Sequence, residues 1–340
     1  MAAPFSSDIQ KRILTIYGLL TAVNLGIWAL TIIAFKGNAV LIGTAFIAYS
    51  FGLRHAVDAD HIAAIDNVTR KLMQEGKRPL LVGFFFSLGH STIVVIAACV
   101  VYLTAATLQT RFVEFREIAS VIGTSISALF LFVIAGMNIF ILLEINRTLQ
   151  KVRNGAQIDH HEPNALLAQG GILGSFFRPL FRILSKSWQM YPVGILFGLG
   201  FDTATEIALL GIAASAAKGL SICSMMLFPA LFTAGMTLVD TTDGIVMAGA
   251  YGWAFLKPMR KLYYNLIITL VSVVVALIVG GIETLGLMRD KFSLQGGIWD
   301  LFGNLNENFG NVGFFIIAVF VLSWIASAVF YRLKGFDGAE

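Results

Sequence analysis

Eight stretches of this chain are long and apolar enough to cross a lipid bilayer as helices, which takes about 20 residues each. They are 13–35, 39–68, 79–107, 118–143, 191–214, 222–256, 262–287 and 312–333. Backbone polar groups find no water inside hydrocarbon, so such runs must satisfy them internally, as helices do. The expected fold is therefore all-α: a polytopic membrane protein with eight transmembrane helices and one transporter-sized domain, 1–340. Composition agrees, with 57% hydrophobic residues, 13% charged and a mean hydropathy of +0.80. A soluble domain carries about 25% charged residues. The run 13–35 is long enough to span, so it reads as a retained helix and not a cleaved leader. Cys99 and Cys223 lie far apart with no CxxC pair. That pattern suggests neither a disulfide framework nor a zinc–thiolate site.

Orientation follows from lysine and arginine, which concentrate in cytoplasmic loops. With the N-terminus inside, 17 basic residues fall in inner segments and six in outer ones, and Arg54 lies within a span. Both termini are expected in the cytoplasm. The net charge of +4 is thereby explained without a nucleic-acid partner. The stretch 144–190 reads as a cytoplasmic loop and 288–311 as an external loop. His160 and His161, in DHHE, fall in the inner loop and read as solvated residues, with a weak metal-buffering or docking site as the sharper alternative.

The second run contains RHAVDADHI, residues 54–62. Each charged group at mid-membrane costs about 2.5–3.5 kcal/mol on insertion scales. Arg54, His55, Asp58, Asp60 and His61 must therefore face protein, water or an ion. On a straight helix at about 100° per residue, His55, Asp58, His61 and Asp66 share one face. Asp60 falls on the opposite side, which implies either a distorted helix or a supporting role such as pairing with Arg54.

Three other runs carry polar residues to a similar depth. SLGHST (87–92) supplies His90, LGFDTATEI (199–207) supplies Asp202 and Glu206, and GMTLVDTTDG (235–244) supplies Asp240 and Asp243. Imidazole with carboxylate and no thiolate suits borderline divalent ions such as Ni, Co, Zn or Fe. Calcium and magnesium prefer oxygen alone. The expected metal-binding set is His55, Asp58, Asp60, His61 and His90. Arg54, Asp66, Asp202, Glu206, Asp240 and Asp243 are the expected gate or supporting residues.

A weak internal symmetry accompanies these motifs. GLRHAVDADHI (52–62) can be laid over GLGFDTATEI (198–207), and SLGHST over TAGMTL (233–238). The paired spans run in opposite directions, as in the inverted repeats of many transporters.

RHAVDADHI, FSLGHSTIV (86–94), LGFDTATEI and GMTLVDTTDG together resemble the signature motifs of the nickel/cobalt transporter (NiCoT) family of bacterial permeases, in order and spacing over nearly the whole chain. His55, Asp60 and His61 match its H-x4-D-H pattern. The resemblance implies high-affinity secondary uptake of Ni²⁺ and/or Co²⁺ through the bacterial cytoplasmic membrane. The metal is then a transported substrate, with no prosthetic group and no ATPase subunit. It also implies that the His/Asp segment of the second span is central to metal selection. No G-x4-G-K-[ST] loop is present. The alternatives are a permease for Zn, Mn or Fe, or an intramembrane metalloenzyme. The latter has no HExxH motif and only five histidines to draw on.

Overall fold

The computed structural model describes residues 7–104, 109–153, 184–199, 220–254 and 258–333. Every regular element among them is helical. In chain order they are α1 (Ser7–Ala34), α2 (Ala39–His55), α3 (Ala59–Gln74), α4 (Val82–Thr104) and α5 (Gln109–Arg153). After a 3₁₀ turn (Ser187–Gln189) come α6 (Met190–Gly198), α7 (Ile222–Met225), α8 (Leu227–Ala254), α9 (Pro258–Phe292), α10 (Ile298–Glu307) and α11 (Phe309–Leu333). Five helical segments are long and apolar enough to cross a membrane. The count reaches seven if α2 with α3, and α10 with α11, each make one broken span. Most of the fifth expected run, 191–214, lies outside the described residues.

α3 organises the bundle. It is the least apolar of the long segments, and every residue from His61 to Met73 is buried. α4, α5, α8, α9 and α11 pack around it. Their other faces, with α1, present Leu14, Leu25, Ile33, Leu129, Leu277 and Phe315 outward. This inversion of the soluble pattern is what lipid demands: polar groups meet inside, and apolar side chains face the hydrocarbon.

The second run is not one straight helix. α2 ends at His55 and α3 starts at Ala59, with a 50° bend between them. The break contains no proline; the chain turns because Asp58 takes an extended conformation (φ −63°, ψ 148°). Its freed backbone groups stay satisfied locally. Val57 N–H donates to Arg54 O and Asp58 N–H to His55 O, both at 2.9 Å.

Three further expectations gain detail. The segment 288–311, expected as an external loop, contains helix: α9 continues to Phe292 and α10 occupies most of the rest, meeting α11 at 84°. Alternating exposed apolar and polar residues along α10 hid it from a search for long apolar runs. At the other connection, α5 continues to Arg153, well into the stretch 144–190, while 154–183 lie outside the described residues. Arg70 and Lys71, two of the basic residues counted in the inner segments, are both buried. Arg70 donates to Thr269 Oγ1 (2.9 Å) and Asn67 Oδ1 (3.2 Å), and Lys71 to Leu184 O (2.5 Å).

Glycine sets one distance that matters for the site. Gly89 of α4 and Gly194 of α6 press their Cα atoms against each other's helix backbone. A Cβ on Gly89 would strike Tyr191 O, and one on Gly194 would strike Phe86 O. Close approach of this kind is the reason small residues line membrane helix contacts. It fixes the rotation of α4 and hence where His90, the next residue, points.

Candidate metal centre

Three imidazoles from three helices converge. His55 is the last residue of α2, His61 lies in the first turn of α3, and His90 sits near the middle of α4. Ring centroids are 4.7 Å apart for His55–His61, and 4.9 Å for both His55–His90 and His61–His90. One ligand nitrogen from each ring lies within 4.8 Å of the others, a spacing that could hold a metal ion.

Carboxylates orient two of the rings from behind. His55 Nδ1 lies 2.6 Å from Asp58 Oδ2, and His61 Nδ1 lies 3.2 and 3.3 Å from the two oxygens of Asp240. With each Nδ1 engaged, Nε2 is left to face the shared space. His55 Nε2 lies 3.1 Å from His90 Nε2, and His61 Nε2 is buried with no hydrogen-bond partner. A carboxylate on the far nitrogen is the usual arrangement behind a metal-binding histidine, because it fixes tautomer and ring angle and raises basicity. Phe86 stands edge-on to His61 at 4.8 Å and Phe232 lies 5.7 Å from His55, closing the apolar side of the space.

Exposure is graded across the centre. The side chains of His55 and Asp58 are 17% and 19% exposed, whereas those of His61 and Asp240 are both 0% exposed. A ligand arriving from solvent meets the His55–Asp58 pair first. Arg54 and Asp58 sit beside the start of α11: a Cβ on Gly310 would lie 3.2 Å from Asp58 Oδ1 and 3.4 Å from Arg54 Nε.

The remaining expected residues divide. Asp60 does not pair with Arg54: its Oδ1 is buried without a partner, and no ion pair joins the two among the described residues. Asp66 does not share the face of the three histidines. It accepts from Tyr251 Oη and from Ser272 Oγ (2.8 Å), deeper along α3. The physical reason is that five residues of unbroken α3 set Asp66 about 140° around the helix and about 7.5 Å along it from His61. Asp243 lies near enough to both Asp240 and Asp66 to feel their charges, and its Oδ2 is buried and unpartnered. Asp202, Glu206, His160 and His161 fall outside the described residues.

Two polar groups escaped the reading of the sequence. Glu283 on α9 is 5% exposed and accepts from Ser127 Oγ of α5 at 2.8 Å. Arg70 is wholly buried. The signal for Glu283 was present in GGIETLG (280–286), an acid within an apolar run. Arg70 carried no such signal, because a basic residue at the end of a run usually marks the membrane edge.

Comparison with known proteins agrees with this geometry. The family model NicO, described as a high-affinity nickel-transport protein, matches residues 41–330. A "High-affinity nickel transport protein" of Cupriavidus necator is 56% identical over 97% of this chain and 95% of its own length. A "Nickel transporter NixA" of Staphylococcus aureus is 42% identical over 88% of each chain. A "Cobalt transport protein NhlF" of Rhodococcus rhodochrous is 38% identical over 96% of this chain and 94% of its own. No solved structure matches.

Proposed function

This chain belongs to the NicO family of high-affinity nickel-transport proteins, and from that premise we propose that it is a permease importing Ni²⁺ and/or Co²⁺ across the cytoplasmic membrane of a bacterium. The family is one of transport proteins, not enzymes. The observation that carries the proposal is the His55–His61–His90 cluster, with Asp58 and Asp240 behind two of its rings. Three neutral nitrogen donors backed by carboxylates match a borderline divalent ion.

In this reading the ion sheds water at His55 and Asp58, seats between the three Nε2 atoms, and leaves past Asp240, Asp243 and Asp66. The driving force needs no ATP. A divalent cation crossing about 100 mV, negative inside, gains about 4.6 kcal/mol. That supports a gradient of about three decades.

Eight spans with both termini in the cytoplasm remain the topology that the basic residues favour. Setting buried Arg70 and Lys71 aside still leaves an excess on the inner side. Two reciprocal helix contacts support an inverted repeat. Gly52 of α2 would strike Phe232 O, and Gly235 of α8 would meet Tyr49 O at 2.8 Å. In the other pair Gly194 would strike Phe86 O and Gly89 would strike Tyr191 O. Tyr49 and Gly52 thus face Phe232 and Gly235 as Tyr191 and Gly194 face Phe86 and Gly89. This register matches Gly52 to Gly194, whereas the motif overlay matched it to Gly198. It also sets Asp60 opposite Asp202 in sequence, since each lies eight residues beyond its glycine. Rocking of two such halves about the histidine centre would give alternating access.

The test is radiometal uptake into vesicles holding the pure protein, with Ni²⁺, Co²⁺, Zn²⁺ and Mn²⁺ in competition. Ni²⁺ or Co²⁺ should dominate, and His55→Ala or His61→Ala should abolish uptake while the protein stays folded. Full uptake by both variants would overturn the assignment.

A further inference from the structure

Glu283 has no part in the centre just described, and its surroundings need one. It lies in the last third of α9, buried, with Oε1 bonded to Ser127 and Oε2 left with no partner. The charged group whose field reaches it is Asp60, whose own Oδ1 is buried and unpartnered.

Packing explains why these three groups meet. Ala63 of α3, Leu131 of α5 and Val279 of α9 share one hydrophobic cluster. Asp60 lies one turn before Ala63, Ser127 one turn before Leu131, and Glu283 one turn after Val279. Since α9 and α5 run in opposite directions in the expected topology, each step leads toward the same layer of the bundle. Apolar residues thus lie to one side of the layer that carries these three oxygen groups. Two carboxylates in one layer of a water-poor interior repel strongly unless a proton or a cation joins them. Asp60 is also next in sequence to His61, so its other side borders the imidazole centre.

We propose that Asp60, Glu283 and Ser127 form a second, all-oxygen station for a divalent cation, adjacent to the three histidines. This rests on the permease reading and deepens it. The cargo would exchange between a nitrogen-rich station that selects it and an oxygen-rich one that holds it less tightly. Two stations of unequal softness suit conduction, because a single tight site binds the ion but does not release it.

The probe is Mn²⁺ alone, which favours carboxylate oxygen and loses its sharp aqueous EPR signal when bound. Protein in lipid nanodiscs carrying His61→Ala, which disables the nitrogen centre, should bind one Mn²⁺ per chain. Adding Glu283→Gln should weaken that binding tenfold or more. Glutamine keeps the bond from Ser127 and nearly the same shape, so folding should persist; size-exclusion profiles check this. Ser127→Ala should weaken Mn²⁺ by a smaller factor. As a second measurement, the unmutated chain should take up two Co²⁺ and the Glu283→Gln chain one. Mn²⁺ binding unchanged by Glu283→Gln, or absent from the His61→Ala protein, overturns the second station. Ni²⁺ uptake retained by His61→Ala would instead overturn the histidine centre, so the two readings fail separately.

Discussion

Asp240 offers the sharpest test of how the centre works, because it stands behind His61 and would act on an ion bound there through that ring. Its oxygens lie 3.2 and 3.3 Å from His61 Nδ1, and both side chains are fully shielded from solvent. No water can replace the carboxylate without the helices parting. Removing such a partner costs about 10- to 100-fold in metal affinity, which is about 1.4–2.7 kcal/mol. Asp240→Asn keeps an oxygen that can accept from Nδ1 but loses the charge, so it should lie near the tenfold end. Asp240→Ala loses both and leaves an imidazole N–H buried without an acceptor, so it should reach about 100-fold. Calorimetric titration of Ni²⁺ into protein in nanodiscs reads the affinity. Uptake kinetics should show the loss chiefly as raised KM. Matching thermal unfolding of the three proteins guards against a misfolded variant. If Asp240→Ala binds Ni²⁺ as tightly as the unmutated chain, the ring is not held from behind and the reasoning fails.

Other outcomes follow from the same geometry. His160→Ala with His161→Ala should alter the initial rate of Ni²⁺ uptake only mildly; loss of uptake there would move the essential ligands out of the membrane. Asp66→Ala should lower thermal stability, because it removes the acceptor for the buried hydroxyls of Tyr251 and Ser272, at about 1–3 kcal/mol in all; an unchanged melting temperature in detergent would refute this. Gly194→Leu should part α6 from α4 and move His90, so uptake should fall more than surface expression does. Dissipating the membrane potential with the pH difference clamped should slow Ni²⁺ entry into vesicles. Uptake that ignores potential but stops when only the proton gradient is collapsed would assign the driving force to protons.

The apolar runs were legible because hydrocarbon imposes a length and excludes charge, and those two signals survive any tertiary arrangement. Elements that do not cross in one straight piece were not. α10 is ten residues in which exposed Ile298 and Leu301 are interspersed with exposed Asp300 and Asn304, a pattern that hydropathy averages away. Arg70 was misplaced because the end of an apolar run and the end of a membrane crossing need not coincide. α3 runs on past its last apolar stretch inside a sheath of other helices.

The histidines illustrate the same limit and show what the broken helix achieves. His55 and His61 are six residues apart. On a continuous helix that separation is about 9 Å of rise and about 120° around the axis, so the two rings would sit at opposite edges of one broad face, nearly two turns apart, too far to share one guest. Here their centroids are 4.7 Å apart, and the difference is made by residues 56–58. Ending α2 at His55 and restarting after Asp58 folds the two turns toward one point, and the same extended residue places its carboxylate against His55 Nδ1. Breaking a helix inside a bilayer normally exposes backbone groups at several kcal/mol each. The local bonds from Val57 and Asp58 reduce that cost, and α11 covers the bend, with Gly313 admitting Val57 O against its backbone. The break thus joins fold to function: it is tolerable only because another helix shields it, and the three-nitrogen centre exists only because it is there.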